Sequence, residues 1–213
     1  MRIKPVLFNT PMVRALLTGQ KTATRRLVKP VPPPNARLEF VGDMRHAMDL
    51  AIEIPGPDDH RIYTPPYLPG DILYVREAWA KDGKSFTYRA DAANRGSAAY
   101  YLEHKAGDTY NRGIRWHPSI HMPKEAARIW LRVTDVRAER LRDITEEGAV
   151  KEGLYKGWRL HGKGSMALTA RQAFMWLWIW MEQKQKMPAK YTWACNPWVW
   201  VIEFERCEKP EDI

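Results

Sequence analysis

Two threonine hydroxyls and three cations fall within six residues at Lys21-Thr22-Ala23-Thr24-Arg25-Arg26, shortly after Gly19. Cations gathered this closely attract phosphate and other anions. A threonine hydroxyl is a poor nucleophile until a base takes its proton, and Thr24, set between Lys21 and Arg26, has the neighbours such a nucleophile requires. The plainer reading is a solvated basic turn. Other constellations carry less. His117 and His121 have ligand-like spacing, but Pro118 and the lack of a nearby cysteine or carboxylate pair argue against zinc, and no metal or cofactor is expected. The chain has no phosphate-binding glycine loop, no dinucleotide fingerprint and no serine-hydrolase elbow.

The elements around the cluster follow from local signals. Asn9 or Thr10 can cap a short helix, Pro11 fits its first turn, and Met12, Val13, Leu16 and Leu17 supply an apolar side. Gly19 is a natural left-handed stop, so the cluster begins where this helix ends. Strands are expected at 4–8, 72–75, 86–90, 129–136 and 198–204, with Pro69-Gly70-Asp71 as the turn before the second. Thr145 caps a short helix, with Ile144 and Ala149 as its hydrophobic staple and Gly153 as its stop. Glu152 lies three residues after Ala149 and shares its core-facing side, whereas Glu147 and Lys151 point away. Thr169 caps the longest helix, which runs to about Gln183 or Lys186 with Phe174, Leu177, Trp178 and Met181 in core spacing. Because residues 174–181 are apolar all round, a protein partner or self-association there is the alternative to core burial.

Apolar content of 45% and ten tryptophans argue against disorder, and 213 residues suit a single domain. Two cysteines are too few for a disulfide framework. The longest apolar run, Ala173 to Met181, is nine residues and too short to span a bilayer. No signal-peptide core follows the N-terminal charges, so a cytoplasmic protein is expected. The net charge is +9; residues 1–30 hold seven cations and no acid, and residues 112–142 hold eight cations and three acids. Segregation of this kind points to a polyanion partner.

The pattern Gly19-x-Lys21-Thr22-x-Thr24-x-Arg26, preceded by Leu16 and Leu17, resembles the signature of the ASCH superfamily. Pro69-Gly70-Asp71-Ile72-Leu73-Tyr74-Val75 is similar to that family's Gly-Asp turn and strand, Leu141 to Glu147 to its late strand-to-helix joint, and Trp198 to Phe204 to its closing strand. The segment Arg115 to Pro123 resembles larger, phage-associated members. The resemblance implies an α+β fold, a PUA-like mixed β pseudo-barrel with flanking helices, here one domain with insertions at about 27–67 and 80–126. It implies recognition of RNA or a modified nucleoside in a basic cleft. It also implies, as in the small amidohydrolases of the family, removal of the acetyl group of N4-acetylcytidine. Lys21, Thr24 and Glu152 then become base, nucleophile and acid, with Glu77 the alternative acid, and Arg25, Arg26, Arg76 and Glu77 bind substrate. The alternatives are a non-catalytic RNA- or DNA-binding module and a phage accessory protein that docks a partner through its Trp-rich helix.

Overall fold

The computed structural model of the chain describes residues 2–32, 36–40, 50–53, 60–82, 85–93, 115–159 and 165–211. In chain order its elements are β1 (Ile3–Leu7), α1 (Thr10–Leu17), β2 (Ala23–Leu27), β3 (Arg37–Phe40), β4 (Leu50–Glu53), β5 (His60–Tyr63), β6 (Ile72–Arg76), β7 (Trp79–Asp82), β8 (Ser85–Tyr88), β9 (Trp130–Arg140), α2 (Glu146–Lys151), α3 (Ala170–Gln185) and β10 (Trp198–Cys207). The fold is α+β with mixed strand pairing. No described helix is long and apolar enough to cross a membrane. The chain divides into two compact units. The first is Met1–Gly19, Asp71–Arg132 and Glu205–Ile213; the second is Gln20–Gly70 and Val133–Phe204.

In the first unit β1 runs parallel to β6, with Ile3 opposite Ile72 and Leu7 opposite Arg76. The opening residues of β9 pair antiparallel with β6, Trp130 opposite Tyr74. Asp71 ties the start of β6 to β1: it accepts the Arg2 N–H at 3.1 Å and pairs with the Lys4 ammonium at 3.3 Å. Asn9 caps α1 by accepting the Met12 N–H, Val13 and Leu16 are buried, and Gly19 adopts φ 74° after the helix ends. The β7–β8 hairpin packs Trp79 with Met122 and Ala126, and Phe86 meets Trp79 edge-on at 5.7 Å. Much of the expected second insertion, residues 94–114, lies outside the described residues.

In the second unit β10 pairs antiparallel with β2, Val199 opposite Leu27 and Glu203 opposite Ala23. The sequence reading had no strand at β2. Thr24 and Arg25 are buried and Arg26 half-buried, and β10 supplies hydrogen-bond partners that a local pattern cannot reveal. The segment between β2 and residue 67 contributes a three-stranded antiparallel meander, β3-β4-β5. The core of this unit joins Leu141, Ile144 and Ala149 to Phe174, Trp178, Val199 and Val201. Thr145 caps α2 through the Gly148 N–H and Thr169 caps α3 through the Gln172 N–H. Glu146 joins the two helices: its carboxylate accepts the N–H groups of Ala170 at 2.6 Å and Arg171 at 3.0 Å.

Candidate functional site

The short helix α2 sets the geometry. Its staple of Ile144 and Ala149 lies in the core, so Glu152, one turn beyond Ala149, is carried inward, while Glu147 and Lys151 are exposed. Lys21 forms an isolated backbone bridge with Glu152. Its ammonium donates to the Ala23 carbonyl at 2.8 Å, the Glu152 carbonyl at 3.0 Å and Glu152 Oε2 at 2.6 Å. Those bonds use every hydrogen an ammonium has. The Lys21 side chain is 0% exposed and that of Glu152 5%. Burial pushes Lys21 below its ordinary range, against the opposing pull of the Glu152 carboxylate.

Arg25 completes the cluster. Its Nη1 donates to Glu152 Oε1 at 3.4 Å and its Nη2 to Glu139 Oε2 at 3.2 Å, with the guanidinium 5.7 Å from the Phe174 ring. Gly148 leaves the room for it: a Cβ there would lie 3.0 Å from Arg25 Nη2. Two cations and two carboxylates thus offset one another inside the second unit.

Strand alternation separates the rest of the motif. Along β2, Arg25 faces the side of Val201 and Leu27 the side of Val199, both residues of the helix-covered core. Thr24 and Arg26, in register with Ile202 and Trp200, therefore project from the opposite face. Thr24 is buried and Arg26 half-buried. The structure brings Lys21, Arg25 and Glu152 together and directs Thr24 and Arg26 to the other side of the strand.

Arg76 and Glu77 belong to the first unit and have their own partners. Arg76 Nη2 donates to the Ile120 carbonyl. Glu77, 1% exposed, is held by the Arg128 fork at 2.9 and 3.2 Å. Arg128 also grips Asp91 at 2.8 and 3.0 Å and lies 4.0 Å from the Tyr88 ring. Burial pushes the Glu77 carboxyl up, and Arg128 opposes it. This arrangement anchors the region around Trp79. His117 in the same unit stacks on the Trp79 ring at 4.9 Å and exchanges backbone hydrogen bonds with it.

Sequence reasoning missed a recess beside the Lys21 cluster. It holds about 120 Å³ and is lined by Arg25, Arg137, Glu139, Gly148, Lys151 and Glu203, together with Thr145 and Glu147. Arg137 donates to Glu139 at 2.6 Å, Glu203 at 2.7 Å and Asp135 at 2.8 Å, and Lys151 donates to Glu203 at 2.8 Å. The signal was a row of charges at every second residue, Asp135, Arg137 and Glu139, at the end of a strand read as stopping at Val136. The recess is lined by charges of alternating sign. The chain matches no family model, no curated protein and no solved structure.

Proposed function

We propose that the chain is an ASCH-type module with PUA-like pseudo-barrel topology that recognises a modified nucleoside or an unpaired RNA base, with the recess beside Arg25 as its site. The observation that carries this reading is the buried Lys21–Glu152–Arg25 clamp, which joins the two motifs the resemblance links and fixes one guanidinium at the wall of the recess. At about 120 Å³ the recess is smaller than sites that enclose a whole ligand, so it would take the edge of a base and leave the sugar outside. Its lining alternates donors (Arg25, Arg137, Lys151) with acceptors (Glu139, Glu203). A cytosine edge presents an N4–H donor beside ring acceptors, and Glu is a suitable acceptor for that N4–H.

Amide hydrolysis is the second reading, favoured by the burial that pushes Lys21 toward its neutral form. In it a proton first moves from Lys21 to Glu152 across their 2.6 Å contact; Thr24 Oγ1 then bonds to the acetyl carbon and passes its proton to the neutral Lys21. The C–N bond then breaks, the cytidine amine takes a proton from Glu152, and water cleaves the acetyl-threonine ester. That route requires Lys21 to give up a hydrogen bond and Thr24 to come round from the far face of β2.

Equilibrium dialysis with N4-acetylcytidine, cytidine and uridine, followed by chromatography of the same samples, tests both. Binding of a cytidine-type nucleoside, weakened roughly tenfold or more by Glu139→Gln, is expected. Failure of every nucleoside to bind defeats the recognition reading. Released cytidine that disappears in Thr24→Ala selects the hydrolytic one.

A further inference from the structure

A different face of the second unit has the make-up of a phosphate-binding surface. From Gly153 to Ile202 the chain carries seven Lys and Arg against a single acid, Glu182. The Glu182 carboxylate accepts the Trp193 N–H and so engages the chain's own backbone. Lys184 and Lys186 sit at the C-terminal end of α3 and are exposed. Beyond them the 3-10 turn Ala189–Tyr191 presents one aromatic ring to two ammonium groups, Lys29 at 5.7 Å and Lys190 at 5.6 Å from its centroid. The turn is braced by Trp178 Nε1, which donates to the Tyr191 carbonyl at 3.3 Å, and by Thr192 Oγ1, which donates to the Ala189 carbonyl at 2.7 Å. Lys29 comes from the far end of β2, 161 residues earlier than Lys190 in sequence, so the fold and not local composition assembles the group.

Helix-dipole pairing accounts for Lys184 and Lys186, and cation–π attraction accounts for either lysine at Tyr191. Neither accounts for two lysines from distant segments meeting at one half-exposed ring in a tract with one acid in fifty residues. Cations that track a backbone, set around an aromatic platform, are the combination that holds single-stranded nucleic acid without reading its sequence. We infer that the face formed by Lys29, Lys190 and Tyr191 binds a single-stranded nucleic acid, the lysines on phosphates and the Tyr191 ring stacked on an unpaired base. A free nucleoside carries no phosphate, so this inference is independent of the recess and can stand if the recess reading fails.

Fluorescence anisotropy with labelled oligo-U and oligo-dT of about twelve nucleotides, over roughly 50 to 200 mM salt, is the test. A duplex of the same length and an unlabelled polyglutamate competitor complete it. For the whole chain, log affinity should fall linearly with log salt. Lys29→Glu with Lys190→Glu should cost at least about tenfold and flatten the slope by about 1.4, two phosphates at 0.7 each. Tyr191→Leu should weaken binding about tenfold with the slope unchanged, while Tyr191→Phe keeps the ring and the affinity. Both lysines are exposed, and thermal melting verifies that each variant is folded. Unchanged affinity and slope on charge reversal overturn the inference. So does binding the duplex as tightly as the single strand, or equal displacement by polyglutamate, which would assign the face to acidic protein segments.

Discussion

Lys21 spends its whole hydrogen-bonding capacity on Glu152 and two backbone carbonyls, one of them that of Glu152 itself. A buried pair of this kind contributes little net energy when compared with apolar residues of similar shape, yet losing one partner strands a charge. Lys21→Met should therefore destabilise the chain by roughly 3 kcal/mol, and Glu152→Leu by a similar amount. The double variant should be less destabilised than the sum of the two. Urea midpoints for the four proteins give the coupling, and simple additivity would show that the pair does not act as a unit. The pH dependence has a definite sign. Burial lowers the Lys21 pKa from its ordinary 10.5. Between the lowered value and 10.5 the unfolded chain binds more protons than the folded one, so stability rises with pH across that window. In Lys21→Met this part of the alkaline rise should be absent; identical profiles would contradict it. At this scale the sequence was partly readable. Glu152 could be placed inward from its spacing to Ala149. Its partner 131 residues away could not be derived from spacing, and only the family resemblance linked the two. Lys21 and Thr24 are an odd number of residues apart, a spacing that puts two residues on opposite sides of an ideal strand, and along β2 Thr24 faces away from Arg25.

Helix ends are local, and they were the most readable elements. Asn9, Thr145 and Thr169 cap α1, α2 and α3 as their positions suggested, and Gly19 and Gly153 take left-handed conformations where α1 and α2 end. Strands whose logic is non-local were missed. β2 reads Ala-Thr-Arg-Arg-Leu, and its buried charge, Arg25, is compensated by Glu139 and Glu152 from distant segments. The meander β3-β4-β5 lies in the stretch expected as an insertion at about 27–67, which is rich in proline. Thr145→Ala should cost about 1 kcal/mol by urea denaturation. Glu146 makes a sharper case. Its carboxylate is held below the ordinary 4.5 chiefly by the Arg171 N–H and then by the Ala170 N–H. A lowered carboxylate stabilises fully above its unfolded pKa, and that stability is lost as pH falls through the folded value. Acid titrations followed by circular dichroism should show Glu146→Ala losing stability at neutral pH, with the difference from wild type closing below pH 4.5. A difference that persists in acid would mean that Glu146 acts through packing and not through its charge.

Over the whole molecule, counting charges overstates the surface field. The stretches 1–30 and 112–142 suggested one basic face, but Lys4, Lys21, Arg25, Arg128 and Arg137 are all held by carboxylates. In the tract from Gly153 to Ile202 the cations are dispersed and interleaved with tryptophans, so no local run of charge marks it. Two candidate sites on the second unit then make different demands of a ligand, and thermal melting can separate them. A ligand that binds only the folded chain, at a hundredfold excess over its Kd, adds about 2.7 kcal/mol. For a chain of this length each kcal/mol raises Tm by about 2 to 4 °C, so a shift of about 5 to 10 °C is expected. N4-acetylcytidine should produce it in the wild type and in the Lys29→Glu, Lys190→Glu double variant, and lose it in Glu139→Gln, whose carboxylate lines the recess. A single-stranded oligonucleotide should produce it in the wild type and in Glu139→Gln, and lose it in the double variant. If one variant abolishes both shifts, a single site serves both ligands. If the nucleoside gives no shift in any protein while the oligonucleotide behaves as described, the recess is not a nucleoside site and the lysine face remains. If the oligonucleotide shift survives reversal of Lys29 and Lys190, phosphates are bound elsewhere on the chain.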